Sequence, residues 1–309
     1  MRIVFMGTPV FAVPAIEALV AAGHDLALVV TQPDRRRGRG HRVRRTDAAA
    51  AADRLGLDVA QPERVSGPEF RDRLRDLSAE LFVVVAYGRI LKRRVLEIPR
   101  WGCINAHASL LPHLRGAAPI QQAIFGGDSV TGVTTMKMDR GMDTGDMLLA
   151  REVPIGARDT AGDLHDRLAP VAAALLVETL ARLPEIEPRP QDHDRATYAP
   201  RIEGDDLELD WGLDATTLDR TIRGLAPAPG ARTRRDGELL KVLEAEPVTA
   251  SSGLEAGSLF PLDRGCAVQC SGGALRLVRV GPAGRPPMPA DAYLLGRPLQ
   301  GGERLGTEG

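Results

Sequence analysis

Residues 102–112 read GCINAHASLLP and hold the densest group of chemically capable side chains in the chain. Asn105 and His107 stand two positions apart, so on an extended segment both point to one face. An amide donor and an imidazole on a common face can together hold a developing oxyanion. The same spacing also fits a buried histidine that satisfies a loop carbonyl, with Asn105 as a turn residue. A second group, MDRGMDTGD at 138–146, places Asp139, Asp143 and Asp146 in a glycine-containing loop. Aspartate and glycine populate turns for backbone reasons of their own. A carboxylate here could equally orient a histidine or relay a proton from an amine. The third group is RRRGRGHRVRR at 35–45, seven arginines in eleven residues with no acid among them. A run of charge is commonly a solvated face. The glycines make this one a loop rather than a helix face, and focused positive charge on a near-neutral body suits a phosphate backbone. No aromatic residue interleaves it, so base stacking is not suggested.

Other signatures are missing. The first strand-to-helix turn is Gly7-Thr8-Pro9, which lacks the glycines of a dinucleotide site, and Pro9 removes a backbone donor. No P-loop pattern occurs. Cys103 has no evident activating partner and reads as a structural thiol, while Cys266 and Cys270 read as core-facing. The six histidines and three cysteines show no metal-ligand spacing.

The elements that must carry these groups alternate through the first half of the chain. Apolar runs at 2–6, 26–31, 57–60, 81–86 and 103–106 predict strands, and 14–22, 47–55, 68–77 and 119–125 predict helices, the pattern of a parallel α/β sheet. Val83-Val84-Val85 is the β-branched run of a strand buried on both faces. The short strand at 103–106 ends at Asn105 and His107, and ligands of such sheets bind beyond the carboxyl ends of strands. A strand pair at 132–138 and 146–153 flanks the Asp143 loop, and a long helix follows from 161 to about 183. Residues 183–206 are rich in proline and charge and read as a linker. Beyond them lie one helical piece, 215–223, and short alternating runs at 238–242, 266–270 and 275–280, the pattern of a small β-barrel or sandwich.

Composition bounds the class. The 309 residues carry 40 Lys+Arg against 41 Asp+Glu, a net charge of −1, and suit two domains. The longest apolar run, 81–87, is far short of the roughly 20 residues a membrane span needs. The opening MRIVFMG meets Pro9 and Glu17 without a continuous apolar stretch and reads as a strand rather than a signal peptide. Three cysteines cannot make a disulfide framework. A cytoplasmic protein is expected.

Residues 102–120 (GCINAHASLLPHLRGAAPI), together with 138–147 (MDRGMDTGDM), resemble the folate-dependent formyltransferase family. The segments FMGTP (5–9), TQPD (31–34), VVAYGRI (84–90), TGVT (131–134), TYAPRI (197–202) and Asp210-Trp211 are most similar to members that act on a charged tRNA. The likeness covers nearly the whole chain and is strongest from about 82 to 150. It implies an α/β fold: a Rossmann-like parallel-sheet formyltransferase domain over 1–189, a linker over 190–207, and a small OB-like β-barrel over 208–309 that binds tRNA. It makes Asn105, His107 and Asp143 the catalytic trio, and Ser109, Leu110, Leu111 and Pro112 the lining of the folate site. Arg35, Arg36, Arg37, Arg39 and Arg42 would engage the tRNA acceptor stem, with Arg39 matching the family's Gly-Arg-Gly. Arg276, Arg279 and Arg285 are further candidate phosphate contacts.

The formyl donor so implied is 10-formyltetrahydrofolate, and the acceptor is the α-amino group of methionine on initiator tRNA. No metal, no acyl-enzyme and no membrane enter, and a monomer is expected. The sequence departs from the family at LAPAPG (225–230), where Ala226 and Ala228 replace the usual asparagine and aromatic. The alternatives are formyl transfer to a sugar-nucleotide or purine-precursor amine, hydrolysis of the formyl-folate, and a tRNA-binding protein without activity.

Overall fold

The computed structural model describes residues 1–37 and 42–306, with side chains from 1–35 and 43–306. Arg39 therefore lies outside the described residues. The chain divides into two compact units. The first comprises residues 1–119, 130–154 and 165–200; the second comprises 120–129, 155–164 and 201 onward.

In the first unit seven strands form one sheet. Its order is Met147–Pro154, Val130–Lys137, Cys103–His107, Leu81–Val85, Arg2–Gly7, Asp25–Val30 and Val59–Ala60. Neighbours from Cys103–His107 to Val59–Ala60 run parallel, whereas Val130–Lys137 is antiparallel to strands on both sides. Every residue of Leu81–Val85 is buried, as the β-branched run predicts for a central parallel strand. Burying each such side chain stabilises the fold by roughly 1.5–3 kcal/mol. The strand expected at 57–60 pairs only over Val59–Ala60.

Two local features differ from the reading of the sequence. The arginine-rich stretch is a β-hairpin, Arg35–Arg37 against Arg42–Arg44, rather than an open loop. Asp34 closes its base: one carboxylate oxygen accepts from the Thr46 amide at 3.1 Å and from Gln61 Nε2 at 2.7 Å. Bringing the two ends together lets the arms pair. Thr46 then caps the next helix, Asp47–Arg54, accepting from the Ala49 amide at 3.2 Å. The second feature is a one-turn helix, Arg93–Leu96, too short to show a period in the sequence.

The second unit carries an antiparallel sheet in the order Ala231–Arg235, Glu238–Val248, Ala274–Pro282, Cys266–Gln269, Leu259–Pro261. Asp236 and Gly237 join the first two strands with φ of +49° and +73°, the double left-handed geometry of a type I′ turn. Helix Ala215–Leu225 starts at Asp214, which accepts from the amides of Thr216 and Thr217 at 2.9 and 3.0 Å. Leu218, Ile222 and Leu225 of this helix join Trp211, Val242, Leu275 and Val280 in one apolar core. Among the described residues no helix is long and apolar enough to cross a membrane.

Candidate active site

Strand Cys103–His107 sits between a parallel and an antiparallel neighbour, opposite Val84 through Asn105 on one side and Thr134 through His107 on the other. Its side chains alternate, so Asn105 and His107 share a face at the carboxyl end. His107 is 6% exposed. Its Nε2 donates to the Leu114 carbonyl at 2.9 Å, and its Nδ1 lies 3.6 Å from Asp143 Oδ2. Both ring nitrogens thus face oxygen atoms, a carbonyl on one side and a carboxylate on the other. The bland alternative, a histidine satisfying a loop carbonyl, describes half of what is found; the carboxylate on the other side is the half it omits. The Asn105 amide is half-buried and has no hydrogen-bond partner among the described residues.

Asp143 stands in the loop between Val130–Lys137 and Met147–Pro154 with φ +54°, a left-handed conformation that aspartate tolerates better than most residues. Its Oδ2 accepts from the Gly116 amide at 2.9 Å. Asp139 is turn chemistry: its carboxylate accepts from the Gly141 amide at 3.0 Å and the Thr144 hydroxyl at 2.7 Å. Gly145 has no alternative, because a Cβ there would stand 1.9 Å from the Lys137 carbonyl oxygen.

Residues 109–112 turn directly after the strand and are pinned to Val130–Lys137 by Thr134. The Thr134 hydroxyl donates to the Ser109 carbonyl at 2.8 Å and accepts from the Leu111 amide at 3.1 Å. Ser109 is 1% exposed and its hydroxyl donates to the His113 carbonyl. Leu111 is buried, so Leu110 and Pro112, both half-buried, are what the segment offers to a ligand. Arg35 is exposed on the hairpin, where Arg36, Arg37 and Arg42 also lie in paired strands. In the second unit Arg279 and Arg285 are exposed, and Arg276 lies 3.6 Å from Glu246. Ala226 is buried and Ala228 exposed.

Burial pushes the Cys103 thiol up to about 12, which removes it as a nucleophile. Among the described residues no group of three or more His, Cys, Asp or Glu side chains could hold a metal ion. Sequence reasoning missed Gly116, whose amide holds the Asp143 carboxylate, and Gln191, whose side chain reaches the same loop. Neither carries a sequence signal by type or spacing.

A family model described as "Formyl transferase" matches residues 1–180, and "Formyl transferase, C-terminal domain" matches residues 201–298. A protein of Ruegeria pomeroyi named "Methionyl-tRNA formyltransferase" is 48% identical over 308 residues, covering 99% of this chain and 100% of that protein. A protein of the same name from Moorella thermoacetica is 48% identical over 312 residues, covering 99% of each chain. Among solved structures, the Helicobacter canadensis N-formyltransferase in complex with folinic acid and dTDP-3-aminofucose superposes with a TM-score of 0.64 at 17% identity. That match covers 90% of this chain and 98% of the other.

Proposed function

The chain belongs to the formyl transferase family, and we propose that it transfers the formyl group of 10-formyltetrahydrofolate to the α-amino group of methionine on initiator tRNA, giving N-formylmethionyl-tRNA for translation initiation. The observation that carries this reading is the junction of His107 and Asp143 at 3.6 Å beside an Asn105 amide without a protein partner. The full-length likeness to the Ruegeria and Moorella proteins supports the charged tRNA as acceptor over another amine.

An α-amino group titrates near pH 8 and needs little activation to attack as the free base. Its nitrogen bonds to the N10-formyl carbon, and the carbonyl oxygen becomes an oxyanion. Asn105 donates to that oxygen, and His107, when protonated, adds a charge-assisted hydrogen bond on exchanging its bond to the Leu114 carbonyl. Asp143 holds His107 and takes the proton leaving the attacking nitrogen, directly or through water. Collapse breaks the carbon–N10 bond, and the proton that Asp143 took up passes to N10, directly or through water, so that tetrahydrofolate leaves and Asp143 is again a carboxylate. Leu110 and Pro112, with the backbone at Ser109 and Leu111, line the folate side. The hairpin arginines, Arg35 to Arg37 and Arg42 with Arg39 between them, contact the acceptor stem. The protein would act in the cytoplasm as a monomer.

The test is formyl transfer from 10-formyltetrahydrofolate, with initiator Met-tRNA, elongator Met-tRNA and free methionine compared as acceptors. Rapid transfer to the initiator alone is expected. Folate turnover without formyl-Met-tRNA would mean hydrolysis or a different amine, and no turnover would mean a binding protein.

A further inference from the structure

Gln191 and Arg115 form a buried pair that the chemistry above leaves without a task. Gln191 Nε2 donates to the backbone carbonyls of Asp143 at 2.9 Å and Gly145 at 2.7 Å, and so holds the Asp143 loop from both sides. Its Oε1 accepts from Arg115 Nε at 3.0 Å and Nη2 at 2.7 Å. A guanidinium donates and cannot accept, so Arg115 fixes which end of the amide faces the loop. The two side chains are 5% and 1% exposed. Among the described residues Arg115 has no carboxylate partner; besides Gln191 it meets His193 Nδ1 at 3.1 Å.

Burying a cation with only neutral acceptors is costly, and apolar side chains would fill the same space without that cost. What the pair adds is orientation. The Asp143 loop needs it, because Asp143 is left-handed and its neighbours 140–142 are exposed. The carboxylate itself accepts from the amide of Gly116, the residue after Arg115. Two successive residues thus address one loop, Gly116 at the carboxylate and Arg115, through Gln191, at the backbone. The strand they form, Arg115–Gly116, pairs with Tyr198–Ala199 seven positions beyond Gln191, and Arg189 is bridged to Met147 two positions before it.

We propose that Gln191, oriented by Arg115, is a positioning residue that holds the Asp143 carboxylate at its place beside His107. This rests on the formyl-transfer reading above. The test is Gln191→Glu, which keeps the length and gives Arg115 a charged partner but offers no N–H to the two carbonyls. Gln191→Met checks that the new charge is not the cause. In both variants kcat for formyl transfer should fall about 10- to 100-fold, since a misplacement of an ångström suffices for that. KM for both substrates should hold. Independently, hydrogen exchange at the Gly116 amide should accelerate about tenfold, with the amides of Leu81–Val85 keeping their protection. An unchanged kcat and Gly116 exchange rate in both variants would overturn the proposal, and so would loss of protection throughout the sheet, which would mark a merely structural role. A wild-type enzyme that transfers nothing to charged tRNA would instead overturn the reaction assigned above, while Gly116 exchange would still report on the loop.

Discussion

At Asn105 the amide is half-buried, faces the same side as His107 and finds no protein acceptor or donor among the described residues. A group preorganised in this way stabilises charge that appears only in the transition state. Asn105→Ala should therefore lower kcat by about 10²–10³ and leave KM for the folate in place, read from initial rates of formyl transfer. A near-normal kcat would remove Asn105 from the mechanism. Asp143→Asn separates charge from shape. Asparagine tolerates the φ of +54° as well as aspartate does, and its carbonyl can still accept from the Gly116 amide. It can neither take the proton from the attacking nitrogen nor set a negative charge beside the His107 ring. We expect a loss in kcat of at least about 10² with the melting temperature unchanged; retained turnover would show that the carboxylate is not the proton acceptor. The thiols should be silent throughout. Burial holds Cys103 at about 12 and Cys266 and Cys270 at about 11, so at pH 8 the native protein should resist alkylation by iodoacetamide until urea unfolds it. Modification of any of the three in the folded protein would contradict that burial.

The basic hairpin is an element whose sequence works against its own stability. Its register sets Arg35 opposite Arg44 and Arg37 opposite Arg42, and like charges directly opposite weaken a ladder. A bound polyanion relieves that repulsion. Charge reversal at Arg35 and Arg42 should raise KM for tRNA, and the slope of its logarithm against log salt should shrink by about 0.9 for each phosphate no longer neutralised. An unchanged slope would place the tRNA elsewhere. As a strand pair the hairpin is illegible in the sequence, because seven arginines give no alternation to read; the residues that close it, Asp34, Thr46 and Gln61, are separated along the chain. The meeting of His107 and Asp143 is legible only in part: period two puts Asn105 and His107 on one face, and two strands bracket a loop with three aspartates, but Asp143 is singled out among them by the family resemblance alone. Gln191 is not. Its bonds to Arg115 span 76 residues, and it lies in a proline-rich stretch whose composition reads as a linker. Composition reports how stiff a segment is, not which neighbour it packs against.

For the whole molecule, stability can be tested within the second unit, whose own apolar core includes Leu218, Ile222, Val242 and Leu275. The second unit has a buried ion pair suited to the purpose. Arg235 and Glu303 are 4% and 7% exposed in their side chains, and Arg235 also lies over the Tyr293 ring at 5.2 Å. The pair ties strand Ala231–Arg235 to residues near the end of the chain, with Arg235 Nη2 donating to Glu303 Oε2 at 3.0 Å and to the Pro298 carbonyl at 3.2 Å. Removing one partner leaves a buried charge uncompensated, so Glu303→Gln should cost about 3–5 kcal/mol at pH 7. Burial acts to raise the Glu303 carboxyl, but hydrogen bonds from Arg235 and the Gln300 amide outweigh it, and the group titrates below its ordinary 4.5. A carboxyl depressed in the folded state stabilises above its unfolded value and loses that contribution as pH falls through the folded one. The gap between wild type and Glu303→Gln should thus be full above pH 4.5 and narrow as the solution is acidified further. Urea unfolding followed by Trp211 fluorescence, in a Trp101→Phe background, measures it within the second unit. Equal stability at pH 7 would show that the pair contributes nothing; a gap that widened in acid would reverse the assigned direction of the Glu303 shift.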